Sequence, residues 1–176
     1  MKWIFVSYTV PANPSRARVF IWRELRKLGA INYQTVWVLP YSKDISDKIQ
    51  NLKKVIENCG GQALLVEGKV LNKEEEEEKI LKAFIEARNK EYKEVIEKCE
   101  DFFKEISFEI ERHNFIFAEV EENEEELEKL KTWFKKVEKR DFVNAPLKKE
   151  SIDKLKKCTR LFEEFSKRVY KEAQKE

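Results

Sequence analysis

The sequence predicts an α+β protein, a small sheet-and-helix domain followed by an all-helical one. Two observations carry this expectation. Up to Leu71, β-branched and aromatic runs alternate with helix-spaced runs. From Asn72 onward there is no glycine, strand-like runs nearly vanish, and apolar residues recur at steps of three and four.

The first element is a strand. Trp3 to Val10 is apolar, β-branched or aromatic, with no helical period. "PANPSR" breaks it. Asn13 followed by Pro14 is a helix start, an N-cap side chain before a proline in the first turn. That helix runs to Leu28, and Gly29 supplies its stop. At ~100° per residue, Ala17, Ile21, Leu25 and Leu28 share one face. Arg16, Arg23 and Lys27 share another stripe. Ala30–Tyr33 and Val36–Leu39 are short strands joined by a hairpin at Gln34-Thr35, and Pro40 ends the second. Ser42 or Asp44 can cap the next helix, which carries Ile45, Ile49, Leu52, Val55 and Ile56. Gly60 and Gly61 end it, and Ala63–Val66 is a further strand. Strand, helix, strand, strand, helix, strand is the order of the ferredoxin-like, split βαβ arrangement, antiparallel with both helices on one face.

In the second half, Leu81, Phe84, Tyr92, Val95, Cys99, Phe102, Ile106 and Ile110 follow helical spacing, with a break expected near Asn89. "NFIFAEVEEN", Asn114–Asn123, reads as a connector. Leu127, Leu130, Phe134 and Val137 form one seam, and Leu155, Cys158, Phe162, Phe165 and Val169 another. "NAP" at Asn144–Pro146 separates the last two helices. The acidic run Glu74–Glu78 opens a helix, where carboxylates complement the dipole. The expected domains are residues 1–71, ferredoxin-like, and residues 72–176, a helical bundle or antiparallel coiled-coil extension packed on it.

Composition narrows the function. The net charge of +2 excludes a uniformly basic nucleic-acid binder, but the charge is uneven. From Met1 to Lys43 the bases are Lys2, Arg16, Arg18, Arg23, Arg26, Lys27 and Lys43, against the single acid Glu24. Cys59, Cys99 and Cys158 are far apart and never in a C-x-x-C pair, which argues against a disulfide framework and against zinc. They read as buried or half-buried thiols in a reducing compartment. "MKWIFVSYTV" is too short for a leader, and no apolar run reaches the ~20 residues of a membrane span. A cytoplasmic protein is expected.

Little catalytic chemistry is on offer. His113 stands near a helix end and reads as a polar cap or surface group. No phosphate-binding glycine loop and no metal-binding spacing occurs, so neither a cofactor nor a metal is expected. The basic helix is the candidate site: Arg16, Arg18, Arg23, Arg26 and Lys27 for nucleic acid or another anion. The same stripe also reads as a solvated face. Arg18 falls at the edge of the apolar face, where partial burial in a structural ion pair is expected. Trp22 reads as a core or rim aromatic, or as a stacking platform.

"ARVFIWRELRKLGAINYQTVWVLP" resembles the N-terminal domain of ChrB-type chromate-resistance regulators, at Arg18, Trp22, Arg23, Leu25, Leu28, Gly29, Ala30, Val38, Leu39 and Pro40. The likeness continues in "GGQALLVEGKVL", "EYKEVIEKCEDFFKEI" and "KRDFVNAP". A more distant likeness is to the ferredoxin-like module of PaaX-type repressors and of the small CRISPR-associated endoribonucleases. Those nucleases hold metal through an aspartate at the end of the first strand, whereas "VSYTVP", Val6–Pro11, contains no acid. The resemblance implies a non-enzymatic transcriptional regulator, or a regulatory partner, in chromate or oxyanion resistance. Its expected partners are DNA or a separate chromate-sensing protein, since ChrB proteins usually carry a second, sensing domain. A homodimer and no membrane association are expected. The alternatives are a metal-dependent endoribonuclease-like protein and an interaction module for a separate sensor subunit.

Overall fold

The computed structural model describes residues 1–13 and 15–174. Pro14, expected in the first turn of the first helix, lies outside the described residues. The chain divides into two compact units, Met1–Phe84 and Ile85–Glu176.

The first unit is a four-stranded antiparallel sheet with two helices. Its elements are β1 (Trp3–Thr9), α1 (Ser15–Lys27), β2 (Ile31–Tyr33), β3 (Val36–Pro40), α2 (Lys43–Asn58) and β4 (Gln62–Gly68). The strand order is β2-β3-β1-β4. α1 ends as its glycine dictates. Gly29 takes φ 87°, and the Ala30 amide turns back to the Leu25 carbonyl at 3.0 Å. Gln34 takes φ 56° in the β2–β3 hairpin. Ser42 rather than Asp44 caps α2, its Oγ accepting from the Ile45 amide at 3.1 Å.

Strand alternation sorts the sheet into two faces. Ile4 and Val6 of β1 and Leu39 of β3 join Ile21 and Leu25 of α1 and Ile49, Leu52 and Ile56 of α2 in one buried cluster. Both helices therefore cover the same face. On the other face the register aligns Ile31, Val38, Phe5 and Val66 across all four strands. There Trp3 stacks on Phe84 at 5.7 Å, its indole N–H donates to Glu77, and the Tyr33 hydroxyl donates to Glu76. These carboxylates belong to a π-helical turn, Lys73–Glu77, that leads into α3 (Glu78–Glu111). Leu64 and Val66 of the outer strand β4 stay exposed.

The second unit holds the remainder of α3 with α4 (Phe117–Arg140) and α5 (Leu147–Ala173). Tyr92, Val95, Cys99, Phe102 and Ile106 of α3 pack with Leu127, Leu130, Phe134 and Val137 of α4 and Leu155, Cys158, Phe165 and Val169 of α5. Two expectations are corrected here. No break occurs at Asn89. α3 continues through it, and the Asn89 side chain accepts the Leu147 amide at 3.1 Å, satisfying the start of α5. The connector is also shorter than Asn114–Asn123, because α4 begins at Phe117. His113 at φ 55° turns the chain, and the Asn114 amide group donates to both Glu109 and Glu119.

A polar pin holds the α4–α5 turn. Asp141 accepts from the Val143 and Ala145 amides at 3.2 and 3.1 Å and from the Tyr92 hydroxyl at 3.0 Å. Burial, reinforced by that bond, pushes the Tyr92 phenol pKa up. Arg140 grips Glu91 through two N–H bonds of 3.2 and 2.8 Å, and Arg88 lies 3.3 Å from the same carboxylate. Cys99 and Cys158 are buried, as expected, but Cys59 is exposed. It sits at the C-cap of α2, where the chain leaves the packed stripe.

Two predictions test these units. A Cβ on Gly61 would lie 2.3 Å from the Thr9 carbonyl oxygen and 2.9 Å from Ile56 Cγ2. Gly61→Ala should therefore cost about 1–3 kcal/mol, read from chemical denaturation of the full chain. A maleimide should label the native protein once, at Cys59, with Cys99 and Cys158 reacting only after unfolding. Mass spectrometry of native and denatured samples checks this.

Candidate nucleic-acid interface

α1 buries Ile21 and Leu25 and half-buries Ala17 and Leu28, so one stripe faces the sheet. The rest of its circumference must face outward. Over roughly 160° of the helix, at ~100° per residue, stand Arg16, Val19, Phe20, Trp22, Arg23, Arg26 and Lys27, all exposed. Four cations thus share this arc with three large apolar side chains. Val19, Phe20 and Trp22 are 43%, 47% and 48% exposed, so apolar surface lies within the cationic face.

Local acids offset little of this charge. Glu24, the only acid of α1, pairs with Lys27 at 2.6 Å. The Arg26 guanidinium lies 5.6 Å from the Trp22 ring centroid. Arg16 and Arg23 form no ion pair among the described residues. Trp22 is thus an exposed aromatic carrying a cation, and not a core residue.

The fifth predicted residue stands at the edge of the packed stripe. At ~100° per residue Arg18 stands between Leu25 and Trp22, one turn before Trp22 on α1, and the structure corrects its expected burial. It is exposed and makes no ion pair among the described residues. At the edge of the apolar stripe it lines a cleft together with Tyr8. Burial pushes the Tyr8 phenol pKa up, and the Arg18 charge opposes that shift. Arg18 therefore stands at the margin between the packed stripe and the exposed face that carries Trp22 and Arg26.

Sequence reasoning missed Val19 and Phe20, although both fall off the Ala17–Ile21–Leu25–Leu28 stripe on a helical wheel. It also missed the buried polar residues Arg88 and Glu91, which occupy positions in line with Phe84, Tyr92 and Val95 on α3. A charged residue in register with an apolar stripe was the available signal.

His113 is exposed, its Nδ1 3.2 Å from the Glu111 carbonyl oxygen. Among the described residues, no group of three or more His, Cys, Asp or Glu side chains is placed to hold a metal ion. No helix among them is long and apolar enough to cross a membrane.

A search of curated proteins and of solved structures finds no match to the chain. The model of the family described as "Protein ChrB, N-terminal" matches residues 18–176. That span takes in the exposed face of α1 from Arg18 onward, the sheet from β2 to β4, and the whole second unit. The chain belongs to the ChrB N-terminal family.

Proposed function

We propose that this chain is a cytoplasmic, non-enzymatic transcriptional regulator, or the regulatory half of one, in chromate or oxyanion resistance, and that it binds DNA through the outer face of α1. The observation that carries this reading is that Arg16, Arg23, Arg26 and Lys27 share one exposed face of α1 with Val19, Phe20 and Trp22. Cations neutralise phosphates and release condensed counterions. Exposed aromatics add stacking or groove contacts that a merely solvated face would lack. Membership of the ChrB N-terminal family supports the regulatory role. The same reading takes the first unit as a ferredoxin-like, split βαβ module, supported by the strand order β2-β3-β1-β4 with both helices on one face. It includes a homodimer, which would present α1 twice to a symmetric site.

The exposed Trp22 and Phe20 favour one other reading, docking of a separate sensor protein on the same helix face.

Fluorescence anisotropy with duplex DNA at several salt concentrations separates the two. Nucleic-acid binding predicts log Kd rising linearly with log salt. Arg23→Glu with Lys27→Glu should abolish binding and leave the circular-dichroism melt unchanged, because both side chains lie off the packed stripe. Salt-insensitive binding, or full binding by the double reversal, would overturn the DNA reading. Trp22→Ala should weaken DNA binding by about 1–3 kcal/mol if the ring stacks on a base.

A further inference from the structure

In the second unit, α3 and α4 meet across the turn at His113 and enclose a cleft of about 300 Å³. Carboxylates dominate its lining. Asp101 and Glu105 come from α3 and Glu119, Glu122 and Glu126 from α4, against the single ammonium of Lys98. Asp101 pairs with Lys98 at 3.3 Å, and Glu126 with Lys129 at 2.7 Å. Glu105, Glu119 and Glu122 form no ion pair among the described residues. Elsewhere on the same helices lysine and glutamate pair one turn apart, as Lys93 and Glu97 do on α3 and Lys131 and Glu128 on α4. The cleft gathers like charge that the helices neutralise on their other faces.

A buried polar group opens on the same cleft. Asn123 is 3% exposed and lines it. Its Nδ2 donates to the Glu119 carbonyl oxygen at 2.8 Å, which fixes the amide's orientation. Its Oδ1 accepts no hydrogen bond among the described residues and is left as an acceptor facing the cleft. A buried carbonyl in this state is stabilised by any donor that arrives through the opening. The buried side chains of Phe102 and Leu130 add apolar wall between the charges. Burial and the nearby Glu109 carboxylate push the Glu119 pKa up, which fits a site where negative charge accumulates. The carboxylates do not converge on one point, since no group of three among the described residues is placed to hold a metal ion. A ligand that satisfies all of these features carries N–H donors and positive charges held apart by apolar spacers.

We propose that the α3–α4 cleft binds a linear alkylammonium chain. Its nitrogens sit against Glu105, Glu119 and Glu122, one N–H donates to Asn123 Oδ1, and its methylenes lie on Phe102 and Leu130. The chain is either a free polyamine or the lysine side chains of a polypeptide, which present the same ammonium group on the same kind of stem. The site lies within the second unit and uses no residue of α1, so it stands or falls separately from the DNA reading.

The test is isothermal titration calorimetry of the full chain, freed of nucleic acid and held at constant ionic strength. Spermidine forms one arm and an N-acetylated trilysine amide the other. Saturable binding is expected in at least one arm. Glu105→Gln with Glu122→Gln should weaken that binding roughly tenfold, the loss of two charge-assisted contacts at a partly open site. The circular-dichroism melt of this variant should not fall, since both side chains are exposed and their removal relieves like-charge repulsion. Glu94→Gln with Glu124→Gln removes the same charge from exposed positions outside the cleft and should leave the affinity close to wild type. Saturation by spermidine identifies a free polyamine, and saturation by the peptide alone identifies lysine side chains. Absence of saturation in both arms, wild-type affinity in Glu105→Gln with Glu122→Gln, or an equal loss in Glu94→Gln with Glu124→Gln would overturn the inference.

Discussion

The burial of one narrow stripe of α1 governs the character of the first unit. A single helix laid on a sheet can hide only the side chains that point at it, here Ile21 and Leu25 with their half-buried neighbours. Every other position on that helix is committed to solvent once those two are in the core. The cations and aromatics of α1 therefore share one surface by geometric necessity, and the glycine turn at Gly29 prevents the helix from running on past it. α2 solves the same problem with Lys43, Asp44, Asp47 and Lys48 on its outside, where opposite charges pair along the helix. α1 has one acid on its length, Glu24, and it pairs with Lys27. The two helices on one sheet thus differ, one with an outer face of paired charges and the other with cations beside large apolar side chains.

Much of this was legible in the sequence, for identifiable reasons. β1, α1, the hairpin, α2 and β4 follow from period and punctuation, because Gly29, Pro40 and the Gly60-Gly61 pair fall at element ends. The antiparallel seams of α4 and α5 follow from steps of three and four. What the sequence concealed depends on side chains meeting across the chain. Asn89 reads as a helix breaker from its own propensity, yet its amide is engaged by the start of α5, so α3 passes straight through. Phe117 reads as part of a connector because the turn before it is closed by Asn114 bonding to two glutamates. Arg18 reads as buried because a helical wheel locates Cβ atoms and not the ends of long side chains.

The second unit follows a different economy. Its core is apolar, but the turn between α4 and α5 is fixed by Asp141, Arg140, Glu91 and Tyr92 rather than by packing alone. Hydrogen-bonded, charge-assisted contacts of this kind specify one geometry, whereas apolar seams tolerate sliding. "KRDFVNAP" thus has a mechanical reading. Its aspartate collects the free amides ahead of α5, and its arginine ties the end of α4 to α3.

The central position of β1 has a consequence for how the first unit forms. β1 leaves the ribosome ahead of both strands that flank it, and β4 follows only after α1, the hairpin and α2. Its ladder with β4 closes a long loop, which is entropically slow compared with closing the β2–β3 hairpin. In the interval Trp3, Ile4, Phe5 and Val6 form an uncovered apolar segment. The nascent chain therefore carries its stickiest strand first and satisfies it last, so its folding yield depends on the speed with which β3 and β4 arrive.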